Sequence, residues 1–243
     1  MDEMKNDIGN DKPQVKSNVN IKFTLKLQLW NSFDIISAPN EAVQALLVII
    51  SSAFFFQPIL STLGLSHVEL LSVLIPFSMF AFSSFNVVYA ERYNNKGKKI
   101  YSGVNLGGAV IPLALASYLL LTTAKVWLFQ ELVVMLVAIF FGYGLSMITE
   151  KGIIGLTPIV SLVTSLATLF LVHDANVVPI VAYSSSVIGN FIGADVMKIK
   201  KILEIAQTND SLGGQGITDG INMAGLYSLA IVYFALDVVL RFL

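Results

Sequence analysis

The sequence predicts an all-α integral membrane protein, a bundle of about seven transmembrane helices with its N-terminus in the cytoplasm and its C-terminus outside. Three observations predict it. The 243 residues are 55% hydrophobic and only 13% charged, with a mean hydropathy of +0.75, whereas soluble domains carry about 25% charged residues. Apolar stretches of about 18 residues or more recur, each long enough to cross a hydrocarbon core as a helix. Basic residues crowd one side of those stretches.

Residues 1–40 read as a disordered or amphipathic cytoplasmic tail, ahead of a polytopic helical domain over 41–243. "MDEMKNDIGNDKPQVKSN" is polar and mixed in charge, without apolar periodicity. No compact apolar run and small-residue cleavage site follow its first lysine. In "IKFTLKLQLWNSF", Lys22, Lys26 and Trp30 recur every four residues. That suits a short helix on the lipid surface, with a solvated linker as the other reading.

Seven spans are expected, at about 42–63, 67–89, 103–123, 126–148, 156–172, 177–197 and 218–240. Thirteen lysines and arginines then fall on the side of the N-terminus, against only Lys125 and Arg241 on the other. This bias sets the orientation in the cell membrane.

Composition excludes several functions. Without cysteine there is no thiol catalysis, disulfide or zinc thiolate site. No basic cluster interleaved with aromatics points to nucleic acid, and His67 and His173 form no metal-ligand constellation, so no metal or cofactor is expected. The expected partners are the bilayer, a transmembrane peptide or a small ion or solute, and a second copy of the chain.

The topology gathers unusual residues near the inner leaflet. Span three enters through "SGVNLGGAVIP", where Pro112 cannot donate to the carbonyl of Gly108 and Gly107 and Gly108 loosen the same turn. A broken helix is expected there. Span six leaves through "VIGNFIGADVMKIKK", and span seven begins in "SLGGQGITDGINMAG". Asn86, Asn105, Asp195 and Asp219 therefore share one depth, surrounded by Gly193, Gly213, Gly214, Gly216, Gly220 and Asn222. Each has a plain structural reading. Gly189 and Gly193 form a small-xxx-small packing pair, Asp195 lies three residues before Lys198 at the interface, and Thr218 or Asp219 caps a helix. Glu131 is expected to snorkel outward. On span seven, Asp219, Asn222, Leu226, Ala230, Tyr233 and Asp237 fall on one helical face, which should turn to the bundle.

Together "KGIIGLTP", "VNLGGAVIP", "NFIGADVMKI" and "SLGGQGITDGINMAG" resemble the prokaryotic membrane family called domain of unknown function 1614, from about Leu63 onward. That resemblance implies a multi-pass bundle whose signature includes Asp195 and Asp219, and it supplies no activity. A weaker resemblance is to presenilin-like and signal-peptide-peptidase-like intramembrane aspartyl proteases. These carry one aspartate on a helix running toward the cytoplasm and another in a Gly-x-Gly-Asp turn opening the next, the order repeated by Asp195 and Asp219. The match departs at "GQGITD", where glycine and acid are spaced more widely.

Three functions follow from these ingredients. Two close carboxylates resist double ionisation, so one serves as base and the other as acid in hydrolysis. A proton- or sodium-coupled transporter would use the same acids beside a broken helix. A non-catalytic scaffold needs only the packing glycines.

Overall fold

The computed structural model describes residues 22–29, 39–150 and 152–242. The expectations for residues 1–21, Trp30 and residue 151 lie outside the described residues. Among those described, the helices are α1 (Pro39–Thr62), α2 (Val68–Ala81), α3 (Ile111–Gly144), α4 (Thr157–Leu171), α5 (Val178–Asn190), α6 (Ile199–Ile205) and α7 (Gly220–Phe242). Five segments are long and apolar enough to cross a membrane: Val43–Thr62, Leu106–Thr123, Val126–Gly144, Val178–Ile205 and Gly220–Val238.

Two of the seven expected spans fall short. Helices α2 and α4 have 14 and 15 residues, and at 1.5 Å per residue neither covers a hydrocarbon core of about 30 Å. The expected span at 67–89 ends early because its last residues begin "FNVVYAERY", β-branched and aromatic with polar residues interspersed, which forms a strand from Phe85.

The all-α expectation is therefore corrected. A four-stranded sheet is built from β1 (Lys22–Leu29), β2 (Phe85–Tyr93), β3 (Lys99–Asn105) and, much later in the chain, Asp210–Leu212. Between them lies a separate hairpin of β4 (Ser146–Thr149) and β5 (Gly152–Gly155), so the late strand is β6. Strands β1, β2 and β3 run antiparallel in sequence, while β6 lies parallel to β3. The β2–β3 turn is closed by Asn94, whose Oδ1 accepts from the amides of Lys96 and Lys98, and by Gly97 at φ 71°. Strand β1 replaces the expected surface helix. "KFTLKLQL" alternates apolar and polar residues with a period of two, which overrides the four-residue spacing of its lysines.

Helix α3 carries two spans that fold back on each other. Thr123 Oγ1 donates to Glu131 Oε2 at 2.7 Å, eight residues on, where a straight helix would separate the residues by about 12 Å. Both ends of α3 also reach the same region: Gly108, just before it, packs on Gly213, and Gly142 packs on Asn190 and Ala194. The two halves of α3 thus lie beside each other rather than along one straight axis.

The core between α1, α3, α5 and α7 is apolar, with Phe56, Leu119, Tyr183, Ile221 and Leu229 buried. The ring of Phe56 meets that of Tyr183 edge-on at 5.4 Å. A second interior seam is polar: Ser161 donates to the carbonyl of Ala224 at 2.9 Å, Ser165 to that of Ser228 at 3.3 Å, and Ser186 meets Ser228. Glu131 joins this interior rather than snorkelling outward. It is fully buried, accepting hydrogen bonds from Thr123 and Ser184. Two hydroxyls within reach outcompete the longer path to the surface.

Candidate functional site

The helix interruption expected at Gly107, Gly108 and Pro112 is present as a widened turn, and a second one, not expected, closes α5. Leu106–Val110 forms a π turn leading into α3, and Phe191–Asp195 forms another at the end of α5, followed by a 3₁₀ turn over Val196–Lys198. In the first, the amide of Ile111 reaches back five residues to the carbonyl of Leu106. Pro112, which has no amide to offer, follows it in the first turn of α3. The expected unwound break is thus a wide turn that keeps its backbone paired. π turns often mark functional positions.

The glycines explain how two such turns share a small space. A Cβ on Gly108 would strike the carbonyl of Gly213 and come within 2.6 Å of that of Gly216. One on Gly107 would strike the end of α2 at Met79. Gly213 and Gly216 also hold φ of 74° and 61°, in the left-handed region. The "VNLGG" turn and the "LGGQG" loop are therefore packed backbone against backbone. Gly193 packs on Ile139 and Tyr143, and Gly189 on Ala138, as a small-xxx-small pair does.

Asn86 and Asn105 form a knot beneath this contact. Asn105 Oδ1 accepts from the Gly108 amide at 2.8 Å, and its Nδ2 donates to the Ser83 carbonyl at 2.6 Å and to Asn86 Oδ1 at 3.1 Å. Ser211 Oγ donates to the same Asn86 oxygen at 2.6 Å. Asn222 Nδ2 donates to the Ile217 carbonyl at 2.7 Å, closing the loop onto α7. These residues hold the backbone.

A cavity of about 480 Å³ opens beside the knot. Of the expected residues, Asp195, Asp219, Gly213, Gly214 and Gly220 line it, while Asn86, Asn105, Gly107, Gly108, Pro112, Gly193, Gly216 and Asn222 do not. The two aspartates line the same cavity and share no hydrogen bond. Their surroundings differ. Asp219 is half-buried at the start of α7, where Oδ1 accepts from the Ile221 amide at 3.0 Å and Oδ2 from the Gln215 amide at 3.2 Å. Withdrawal from water pushes it up to about 6, against the pull of those amides. Asp195 is 8% exposed, and among the described residues its carboxylate accepts no hydrogen bond and joins no ion pair. Lys198 is engaged elsewhere: its ammonium donates to the carbonyls of Tyr143 and Ser146 at the end of α3.

A third acid was not anticipated. Asp210 also lines the cavity, and its Oδ1 accepts from Arg92 at 2.6 Å and Ser102 at 2.9 Å. Burial pushes it up, with the guanidinium opposing. Its Oδ2 and the Tyr89 hydroxyl are buried without a partner among the described residues. Asn190 and Thr157 complete the polar wall, Asn190 donating to the Gly220 carbonyl at 3.1 Å. The signal was an acid three residues ahead of Gly213 in "NDSLGG", legible only once that segment is a strand. The expected polar line along α7 is not continuous, since Asn222 and Leu226 are buried while Asp237 is exposed. Among the described residues no group of three or more acidic, histidine or cysteine side chains is placed to hold a metal ion.

A family model described as "Protein of unknown function (DUF1614)" matches residues 42–231. No curated protein and no solved structure matches the chain.

Proposed function

The chain belongs to the DUF1614 family, a description that carries no activity, and we propose from the cavity's own chemistry that it is an intramembrane aspartyl-peptidase-like hydrolase of the cell membrane. The observation that carries this reading is the inequality of two carboxylates on one open cavity. Asp219 is held by two amides at a helix start, a setting suited to negative charge, and Asp195 is bare.

In this reading Asp219 takes a proton from water as the oxygen attacks the carbonyl carbon of a peptide bond, and Asp195 gives its proton to the carbonyl oxygen. Collapse of the tetrahedral adduct breaks the carbon–nitrogen bond: the nitrogen takes the proton from Asp219 and a hydroxyl of the adduct returns its proton to Asp195, leaving the carboxylic acid, the amine and both aspartates as they began. In this reading the cavity faces the cytoplasm, at the ends of Leu106–Thr123, Val178–Ile205 and Gly220–Val238, where a single-span peptide would emerge from lipid. Gly213, Gly214 and Gly220 leave room for its backbone, and Asn86, Asn105, Gly107, Gly108, Pro112, Gly193, Gly216 and Asn222 support the walls.

The test is cleavage of synthetic single-span peptides by the purified protein in detergent, read by mass spectrometry. Asp195→Asn and Asp219→Asn should each lower the rate by roughly 10²–10⁴-fold, without adding when combined. Cleavage that survives both changes overturns the reading.

The fully buried Glu131 favours a second reading, proton- or sodium-coupled transport, because an acid inside a membrane bundle commonly serves an ion path. Uptake into proteoliposomes that depends on an ion gradient and fails in Glu131→Gln would support it over hydrolysis.

A further inference from the structure

We propose that the four-stranded sheet is seated on the membrane, with the apolar side of β1 lying in the lipid leaflet on the cavity's side. Phe23, Leu25 and Leu27 of this edge strand are 74%, 81% and 61% exposed. A bare apolar edge strand in water invites aggregation, so natural sheets cover or charge such edges. Charges are present here, but on other residues.

The apolar residues continue into the exposed surface of the helices. Leu27 pairs with Val87, and directly paired residues share a face of a sheet, as do Val87 and Phe85, two residues apart along β2. Phe85 meets Phe82 edge-on at 5.6 Å. Phe82 is itself exposed just past α2, whose Phe77, Leu74, Val73 and Leu70 are exposed in turn. The strand thus extends an apolar belt that begins on α2.

The basic residues complement a lipid surface. Lys26 and Lys99 are tied to Glu91, while Lys22 in β1 and Lys96 and Lys98 in the β2–β3 turn are exposed. Lysines near a bilayer surface are drawn to anionic headgroups. Apolar residues in the acyl boundary with lysines at headgroup level is the pattern of an interfacial anchor, here made from a strand. The irregular pairing between Phe23 and Lys26 gives the strand a local bend. Since β6 belongs to the same sheet and lines the cavity, the seat would fix the cavity's height relative to lipid.

The chain has no cysteine, so single cysteines at 23, 25 and 27, and at 22, 24 and 28, can each carry a spin label in the full-length protein. Accessibility to oxygen and to a water-soluble nickel chelate is then measured in vesicles of phosphatidylcholine with phosphatidylglycerol. The expected result is an oxygen-to-nickel ratio several-fold higher at 23, 25 and 27 than at 22, 24 and 28. Uniformly high nickel access places the face in water and overturns the proposal. So does dipolar broadening between labels on different molecules at 23, 25 and 27, which would make a second copy the cover.

Discussion

The backbone carbonyl of Gly213 occupies the space that a Cβ on Gly108 would need. The contact joins the π turn before α3 to the loop between α6 and α7, and it sets one wall of the cavity. Neither segment can retreat, because Asn105 holds the first through the Gly108 amide and Asn222 holds the second through Ile217.

Gly108→Ala and Gly213→Ala should each lower stability by about 1–3 kcal/mol, the usual cost of overpacking. Gly213→Ala adds the strain of its positive φ. Gly144→Ala, where nothing lies within 4 Å of the added carbon, should be harmless. Melting in detergent, followed by size-exclusion chromatography, checks the series. Equal behaviour of Gly108→Ala and Gly144→Ala would refute the packed contact.

The two aspartates should separate in stability before any activity is measured. Asp219→Ala removes both amide contacts at the start of α7 and should cost about 1 kcal/mol, as loss of a helix cap does. Asp195→Asn removes no hydrogen bond and should leave the melting temperature unchanged or raised. A large loss of stability in Asp195→Asn would make it a structural residue.

Glu131→Leu should fold. Its partners have other acceptors: Thr123 reaches the carbonyls of Leu119 and Leu120 at 3.2 Å, and Ser184 those of Ile180 at 2.9 Å and Val181 at 3.3 Å. Replacing a buried acid by an apolar side chain of similar volume is then neutral or stabilising. The melting temperature of the variant decides whether Glu131 is kept for stability or for function.

Acid should loosen the sheet through Glu91. Hydrogen bonds from Lys26 and then Lys99 hold its carboxyl at about 2, below the usual 4.5. A carboxylate depressed in the folded state contributes stability above its unfolded value, and loses it as pH falls from there through the folded value. The melting temperature of Glu91→Gln should therefore vary less than that of the native chain between about pH 5 and 2. Parallel curves would show that the ion pairs contribute nothing.

Orientation is open to direct labelling. On the seven-crossing reading, in which α2 and α4 pass the membrane despite their length, a cysteine at Asn95, in the β2–β3 turn, should react with an impermeant thiol reagent only in opened cells, and one at Asn176, between α4 and α5, should react in intact cells. The reverse pattern overturns the orientation read from the basic residues.

The membrane character was legible because long apolar runs admit few other structures, and Asp195 and Asp219 reach one cavity from those runs alone. What escaped was strand structure inside a helical chain. The alternation of Phe23, Leu25 and Leu27 was present, but the lysine spacing fits a helix equally well over so few residues. The segment at 85–93 reads as the tail of an apolar span until its β-branched residues are weighed against length. Asp210 escaped for the same reason, since its place at the cavity depends on a pairing with Ser102, 108 residues away. Glu131 was misplaced because sequence position gives depth in the membrane but not which neighbour supplies a hydroxyl.

The parallel pairing of β6 with β3 also bears on biogenesis. When β3 leaves the ribosome its partner strand has not been made, and three further membrane-crossing stretches must be inserted first. Sheet pairing across so long a separation is slow to form. The cavity wall is therefore among the last parts to assemble, and a nascent chain ending before Asp210 would hold most of its helices yet lack that wall.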